Sequence, residues 1–180
     1  MKTRKIGIIG VGHVGAHCAY SLAVQGIADE LVLVDKNEKK AASECQDLRD
    51  SAAYLPHRVS VQVGDFAELG SCDIIINSVG KIDILRECQD RTHEMQFTTA
   101  AVASYIDKLK ASSFNGVLIN ITNPCDVVTY QLAKGLGLPR GRVFGTGTGL
   151  DTSRLLSALA RQTGISHKSI TAYMLGEHGN

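Results

Sequence analysis

The stretch Gly10-Val11-Gly12-His13-Val14-Gly15 decides the fold, because it follows the apolar run Ile6–Ile9 and opens the helical pattern Val14–Gln25. A G-x-G-x-x-G between a strand and a helix is typical of a phosphate-binding turn. Its first glycine permits the tight turn, its second lets a pyrophosphate approach the backbone, and its third lets the helix pack on the strand. The N–H groups that open the helix would face the phosphate charge. The stretch therefore predicts that Gly10, Gly12 and Gly15 bind a dinucleotide.

An acidic residue, Asp35, ends the second predicted strand, Leu31–Val34. It lies about 20 residues beyond the glycines, where a carboxylate accepts hydrogen bonds from the adenosine ribose of a dinucleotide. The same negative charge would repel a 2′-phosphate. The predicted cofactor is therefore NAD rather than NADP, with Asp35 among the residues that bind it.

Apolar runs alternate with helical patterns along the rest of the chain, which indicates a parallel sheet covered on both faces. The predicted strands are Ile6–Ile9, Leu31–Val34, Val59–Val63, Asp73–Val79, Val117–Ile121 and Val143–Thr146. The predicted helices are Val14–Gln25, Glu38–Ala53, Thr92–Ala111, Asp126–Lys134 and Asp151–Thr163. Six strands in two β-α-β-α-β halves predict an α/β fold with a doubly wound parallel six-stranded Rossmann sheet.

The chain is predicted to contain one whole domain and the beginning of another. Residues 1–146 form the predicted dinucleotide-binding domain, and residues 147–180 begin a substrate domain that this chain truncates. Within the second part, Ser169–Leu175 is expected to be extended.

The charge and hydropathy patterns exclude several partner classes. Lys plus Arg number 19 and Asp plus Glu number 18, and no block of like charge occurs, so we expect no nucleic-acid or membrane partner. No apolar run approaches the roughly 20 residues that span a bilayer. Glycines interrupt the apolar stretch after the basic N-terminus, which argues against a secretory signal. We therefore expect a cytoplasmic protein.

The cysteine pattern argues against metal and disulfide frameworks. The five cysteines are odd in number, and no two have C-x-x-C spacing. Such scattered cysteines are expected to be small buried apolar residues in a reducing compartment. No metal site is predicted.

Three polar motifs are candidates for a catalytic site. His178 lies among glycines in Leu175–Asn180, and an accessible imidazole there could exchange a proton near neutral pH. Asp151 and Arg154 are three residues apart and so share a helical face. Asn123-Pro124-Cys125-Asp126 follows a strand, where ligands of open α/β sheets bind. An ordinary helix cap with a solvent arginine, or an Asx-Pro turn, would explain the last two equally simply.

These motifs occur in an order that resembles the L-lactate/malate dehydrogenase family along the whole chain. The shared patterns are G-x-G-x-x-G, V-D, N-P-x-D, G-T-G-T-x-L-D-x-x-R and G-E-H-G. The likeness is greatest to the L-2-hydroxyisocaproate type of relative, which also has asparagine at the position of Asn180. The resemblance implies an NAD-dependent L-2-hydroxyacid dehydrogenase of carbohydrate metabolism, which transfers hydride reversibly between NADH and a 2-oxoacid. It also implies a homo-oligomer, dimeric or tetrameric, when full length.

The resemblance also implies a role for each catalytic position. His178 would be the proton donor and acceptor at the substrate oxygen, and Asp151 would orient its ring. Arg91 would polarise the substrate ketone from the end of a loop. Arg154 would bind the substrate carboxylate with two N–H groups. Asn123 would hydrogen-bond near the nicotinamide and the substrate oxygen.

Further cofactor contacts are implied at Val14, Gly80, Lys81 and Thr146. The position that sets substrate specificity in the family is Asp83 in this chain, where lactate-type relatives have Gln and malate-type relatives have Arg. A carboxylate there would repel the second carboxylate of oxaloacetate and would disfavour malate.

Several alternatives stay open at this point. Arg86 competes with Arg91 for the loop role, although Arg91 begins the predicted helix as the family arginine does. Tyr130 and Lys134 form the Y-x-x-x-K of short-chain dehydrogenases, which helical periodicity also explains. A non-enzymatic NAD-binding module and a malate dehydrogenase are the rival functions. Because the family's substrate domain is incomplete here, the chain by itself is expected to be a fragment that turns over little or no substrate.

Overall fold

A single parallel sheet organises the structure, a computed structural model that describes residues 3–80 and 91–176, without the side chains of residues 91–93. The strands are β1 (Lys5–Ile9), β2 (Glu30–Val34), β3 (Ser60–Val63), β4 (Ile74–Asn77), β5 (Val117–Asn120) and β6 (Val143–Gly145). Their order in the sheet is β3-β2-β1-β4-β5-β6, and all neighbours are parallel. The strand order reverses between β1 and β4, as it does in a doubly wound sheet. The predicted doubly wound, six-stranded parallel sheet is therefore confirmed.

Five α-helices follow the strands in the described chain: α1 (His13–Val24), α2 (Glu38–Ala52), α3 (Arg91–Ala111), α4 (Cys125–Leu136) and α5 (Gly149–Thr163). The predicted bounds agree within two residues at each end. The sequence did not predict two short 3₁₀ helices, Glu68–Ser71 and His167–Ser169. Glu68–Ser71 precedes β4 and packs Leu69 into the core.

Helix α4 continues past the predicted end at Lys134. Gly135 lies inside the helix. Glycine is required at this position because a Cβ would lie only 2.6 Å from Ile106 Cγ2 on α3. The helix ends instead at Gly137, whose φ of 65° lies in the left-handed region that glycine adopts most easily. Gly135 thus permits close helix packing, and Gly137 supplies the turn that stops the helix.

The core has two layers, one on each face of the sheet. Alternate residues of β2 show the division, because Leu31 and Leu33 face one layer and Val32 and Val34 face the other. Ala19, Ala23, Ala41, Cys45 and Leu48 bring α1 and α2 into the first layer, and Val102, Leu109, Val128, Leu132 and Leu136 bring α3 and α4 into the second. The central strands β1, β2 and β4 are therefore buried on both sides, as their continuous apolar sequences predict, whereas the edge strand β3 buries only Val61.

The chain divides into two compact units, Met1–Gly145 and Thr146–Asn180. The first unit contains the whole sheet with α1 to α4. The second contains α5, the 3₁₀ helix His167–Ser169 and the segment that follows it. Residues 170–176 belong to no strand in the described chain, although the sequence pattern suggested extended backbone.

The described cysteines form no disulfide. Cys45, Cys72 and Cys125 are buried and Cys18 is half-buried, whereas Cys88 lies outside the described residues. Burial raises the pKa of the Cys72 thiol to about 11, so this thiol is protonated at neutral pH. These four side chains therefore act as small packing residues. Among the described residues, no helix combines the length and the apolar character that crossing a bilayer requires.

Candidate active site

The glycine turn lies at the carboxyl edge of the sheet, where β1 and β4 run side by side. It directly follows β1, and Ser78 directly follows β4. Ligands of doubly wound sheets bind in the crevice outside this point, because the helices that follow the two strands lie on opposite faces.

The three motif glycines meet very different surroundings. Gly10 has a φ of 86°, and a Cβ there would lie 3.0 Å from the backbone of Ser78. A Cβ at Gly15 would overlap the carbonyl oxygen of Gly10 and lie 2.5 Å from Ser78 Oγ. A Cβ at Gly12, by contrast, would meet nothing within 4 Å. The turn is therefore tightly packed at Gly10 and Gly15 and open to an approaching group at Gly12.

Ser78 joins the end of β4 to the glycine turn. Its N–H donates to the carbonyl of Ile9 at 2.9 Å, and its hydroxyl donates to the carbonyl of Gly10 at 2.6 Å. Ser78 belongs to none of the sequence motifs and was not predicted. No local pattern could have revealed it, because Ser78 and Gly10 are 68 residues apart in the chain.

Asp35 braces the turn from the end of β2. Its Oδ2 accepts a hydrogen bond from the N–H of Val11 at 2.8 Å, and its Oδ1 accepts one from the N–H of Asn37 at 2.8 Å. The side chain is half-buried. Since each carboxylate oxygen has two lone pairs, both oxygens can still accept a hydrogen bond from a ligand hydroxyl.

The first turn of α1 is suited to an anion. The helix begins at His13 after the N-cap residue Gly12, which has no side chain to cap it, and its first turn contains no acidic residue. Its first N–H groups have no carbonyl partner within the helix, and they carry the positive end of the helix dipole. Val14 in this turn is 57% exposed. The ring centroids of His13 and His17, which are also exposed, lie 4.3 Å apart.

A buried polar network lies behind the crevice, at the ends of β4 and β5. Asn77 and Asn120 are the last residues of these strands, are paired in register and are fully buried. Asn77 Nδ2 donates to Asn120 Oδ1 at 2.8 Å, and Tyr105 Oη on α3 donates to Asn77 Oδ1 at 2.8 Å. These residues were not predicted from the sequence, although two apolar strands that both end in asparagine, IIIN and VLIN, were a usable signal.

The Tyr105 hydrogen bond should contribute measurably to stability. Tyr105→Phe is expected to lower the unfolding free energy by about 1 kcal/mol, because Asn77 Oδ1 loses a buried donor. Burial raises the pKa of Tyr105. The contribution of the Tyr105 hydroxyl to the unfolding free energy is therefore fully present below the unfolded-state pKa of about 10, and it is lost as the pH rises through the folded-state pKa. Urea unfolding at increasing pH should therefore show the difference between wild type and Tyr105→Phe shrinking above pH about 10. A difference that stays constant to high pH would contradict this expectation.

The other predicted residues of the first unit lie along the same edge or outside the described chain. Asn123 is half-buried in the loop between β5 and α4, and Gly80 is exposed after β4. Arg91 is the first residue of α3. Lys81, Asp83 and Arg86 lie outside the described residues. The choice between Arg91 and Arg86 stays a prediction.

In the second unit, Asp151 and Arg154 lie in the first turns of α5 on one helical face. Arg154 Nη1 is 4.0 Å from Asp151 Oδ1, and the Arg154 side chain is 67% exposed while that of Asp151 is 19% exposed. The guanidinium therefore reaches solvent beside a mostly covered carboxylate. Thr146, the first residue of this unit, is exposed.

Two threonines tie a later segment of the second unit to the start of α5. Thr148 Oγ1 donates to the carbonyl of Met174 at 2.6 Å, and the N–H of Met174 donates to Thr152 Oγ1 at 3.1 Å. These threonines flank Asp151 in the chain, and Met174 precedes His178 by four residues. His178 and the rest of 177–180 lie outside the described residues. Sequence reasoning did not find the two threonines, because their partner is a backbone group.

The Y-x-x-x-K pair lies on the exposed side of α4. Tyr130 is 66% exposed, and Lys134 Nζ lies 5.5 Å from the centroid of its ring. The ammonium thus lies over the ring face, which is an ordinary cation–π contact on a helix surface. Within the described ranges, His, Cys, Asp and Glu side chains form no group of three that could hold a metal ion.

Comparison with known proteins supplies the family. The model of the NAD binding domain of lactate/malate dehydrogenase matches residues 4–145. The chain belongs to the lactate/malate dehydrogenase family. The resemblance inferred from the ordered motifs is thereby confirmed, and so is NAD as the cofactor of the domain.

Curated members of this family share the full length of the chain. L-lactate dehydrogenase of Fusobacterium nucleatum is 43% identical over 180 residues, which are 56% of its own length. L-lactate dehydrogenase 2 of Listeria monocytogenes is 41% identical over 180 residues, which are 58% of its length. The chain thus spans little more than half the length of the curated relatives that it matches.

Solved structures of lactate/malate dehydrogenase family members have the same fold. The minor L-lactate dehydrogenase of Enterococcus mundtii, in a ligands-bound form, is 36% identical with a TM-score of 0.91, over 99% of this chain and 56% of that one. The lactate dehydrogenase of Cryptosporidium parvum, complexed with lactic acid and NAD, has a TM-score of 0.89 at 28% identity, over 99% of this chain and 56% of that one. The Rossmann prediction is confirmed.

Proposed function

We propose that this chain is the cofactor-binding part, with the first catalytic residues, of an NAD-dependent L-2-hydroxyacid dehydrogenase. The substrate would be a 2-oxoacid with a single carboxylate, of the L-lactate or L-2-hydroxyisocaproate type. The observation that carries the proposal is the glycine turn at the crevice between β1 and β4. It is open at Gly12, closed at Gly15 and braced by Asp35.

The residues present fit NAD. The space beside Gly12 and the uncapped start of α1 would accept the pyrophosphate, with Val14 beside it. Asp35 would accept hydrogen bonds from the adenosine ribose with the lone pairs that its two backbone donors leave. A 2′-phosphate would meet the negative charge of Asp35, which supports NAD over NADP. Gly10 and Gly15 keep the turn close to the sheet.

The nicotinamide end of the cofactor would contact residues farther along the carboxyl edge. Asn123 would hydrogen-bond there, and Gly80, Lys81 and Thr146 would be further cofactor contacts, as the family resemblance implies. When bound, NADH supplies the hydride that reduces C2 of the 2-oxoacid.

The second unit would provide the acid–base and substrate-binding groups. His178 would give a proton to the substrate oxygen and take it back in the reverse direction. Asp151 would hold the imidazole ring and stabilise its charged form. The hydrogen bonds of Thr148 and Thr152 to Met174 support this role to the extent that they hold a segment just before His178 in the chain at the start of α5.

Arg154 is the proposed carboxylate-binding residue. Its exposed guanidinium can offer two parallel N–H donors to a carboxylate, a geometry that lysine cannot provide. Arg91 would stabilise charge that develops on the substrate oxygen. Asp83, at the family's specificity position, would repel a second substrate carboxylate. On the resemblance alone, we also propose a cytoplasmic homo-oligomer for the complete enzyme.

A hybrid enzyme tests the proposed reaction and its substrate class. Residues 1–180 of this chain would replace the matching part of the Fusobacterium nucleatum L-lactate dehydrogenase, which aligns over all of them. With NADH, pyruvate or 4-methyl-2-oxopentanoate should react with a kcat/KM about tenfold or more above that of oxaloacetate, since burying an uncompensated like charge costs more than about 1.4 kcal/mol. The unmodified Fusobacterium enzyme is the control. Fastest turnover of oxaloacetate would exclude the single-carboxylate class.

A further inference from the structure

The side chain of Asn120 connects the buried polar network to the loop that carries Asn123. Asn120 Nδ2 lies 3.2 Å from the carbonyl oxygen of Thr122 and 3.0 Å from that of Cys125, and donates to both. These two carbonyls lie on either side of Asn123-Pro124. One amide group therefore holds both ends of the short turn in which Asn123 lies.

The acceptor side of the same amide is also engaged. Asn120 Oδ1 accepts from the N–H of Thr122 at 3.2 Å and from Asn77 Nδ2 at 2.8 Å. Asn120 Nδ2 further lies 3.1 Å from Thr129 Oγ1, in the second turn of α4. Since the side chain is fully buried, water cannot replace any of these partners, and the bonds to Thr122 and Cys125 constrain the loop.

Asn120 itself is held in one orientation. Asn77 donates to its oxygen, and the Tyr105 hydroxyl fixes Asn77 in turn by donating to Asn77 Oδ1. Rotation of the Asn120 amide by 180° would place its NH₂ group against the Asn77 NH₂ group and lose the bonds to both loop carbonyls. The network thus runs from α3 through two strand ends to the loop of Asn123.

We propose that Asn120 is a positioning residue that sets where Asn123 presents its amide to the nicotinamide end of the cofactor. This inference rests on the role of Asn123 under the proposed function. An apolar side chain of similar volume would fill the space at the end of β5 but would hold neither loop carbonyl. The strand and the sheet would persist, and the position of Asn123 would be lost.

The test compares two ligands on the 180-residue chain. NADH contains the nicotinamide, whereas ADP-ribose shares the adenosine, the pyrophosphate and the second ribose but lacks that base. Isothermal titration should show that Asn120→Val weakens NADH binding about fivefold while the Kd of ADP-ribose changes less than twofold, since one hydrogen bond is worth about 1 kcal/mol. Val61→Ala, a buried substitution on the edge strand β3 and outside this network, is the matched control. It should lower stability without changing the ratio of the two Kd values.

A double-mutant cycle separates positioning from general destabilisation. If Asn120 acts through Asn123, then Asn120→Val should change the ratio of the two Kd values no further in an Asn123→Ala background. Equal losses for both ligands, or additive effects of the two substitutions, would overturn the positioning role while leaving NAD binding intact. A wild-type chain that binds neither ligand would overturn the proposed function itself. Circular dichroism checks that each variant is folded. If Asn120→Val is unfolded, the Kd values of NADH and ADP-ribose are measured for Asn120→Ser instead, and the same outcomes support or overturn the positioning role.

Discussion

Gly15→Ala is expected to weaken NADH binding by about tenfold or more and to lower the unfolding free energy by about 1–3 kcal/mol. Alanine inside a helix normally stabilises it by about 1 kcal/mol relative to glycine. Here the added Cβ would overlap the carbonyl oxygen of Gly10, which is backbone and cannot rotate away. The steric cost should therefore exceed the gain in helix propensity, and α1 would be pushed off the turn that the pyrophosphate is proposed to bind.

Gly12→Ala is the matched variant for Gly15→Ala, because it adds the same methyl group to another glycine of the same turn. A Cβ at Gly12 meets nothing within 4 Å, and the φ of −64° suits alanine. The stability should change by less than about 0.5 kcal/mol, typical of an open surface position. NADH binding should still weaken, because the methyl group occupies the space proposed for the pyrophosphate.

Urea unfolding and NADH titration of the two variants separate the two effects. A Gly12→Ala variant that binds NADH as tightly as wild type would show that the pyrophosphate does not approach this backbone. A Gly15→Ala variant as stable as wild type would contradict the packing of the turn.

His178→Gln in the hybrid enzyme is expected to lower kcat with the preferred 2-oxoacid by about 10²–10⁴-fold, the usual contribution of a positioned general acid–base group. Glutamine can still donate a hydrogen bond, but it cannot exchange a proton near neutral pH. NADH binding should change little, since His178 is not among the proposed cofactor contacts. Stopped-flow kinetics and an NADH titration on the same protein measure both quantities.

Tyr130→Phe is the control for this experiment and also tests the short-chain dehydrogenase alternative. Tyr130 is exposed on α4, outside the proposed machinery, so its variant should keep wild-type turnover. If Tyr130→Phe abolished activity and His178→Gln did not, the proposed acid–base assignment would be wrong.

The sequence predicted most of the fold because strands, helices and turns are specified locally. Apolar runs of four or five residues can be buried on both faces only in a covered parallel sheet, and the glycine motif must follow β1. Helix ends were less well determined. Helix α4 was expected to end at Lys134, but it continues through Gly135, where the closeness of Ile106 on α3 requires a residue without a Cβ.

Part of the proposed site was predicted because local spacing also determines which nearby side chains lie together. Asp35 was identified by its spacing from the glycines, yet its hydrogen bond to Val11 was not. Asp151 and Arg154 share a face because three residues are nearly one helical turn. The threonine bonds to Met174 depend on where a distant backbone segment returns, and no periodicity encodes that.

By itself, the sequence determined the order of the strands and helices, the glycine turn and the carboxylate that accompanies it. Only the tertiary structure decided that Ser78 holds Gly10 and that Asn77, Asn120 and Tyr105 form one network behind the crevice. Asn77 and Asn120 are 43 residues apart in the chain and are neighbours because β4 and β5 pair in register. Local patterns record the conformation of a segment, whereas a buried polar side chain acquires its partners only when separate segments are packed together.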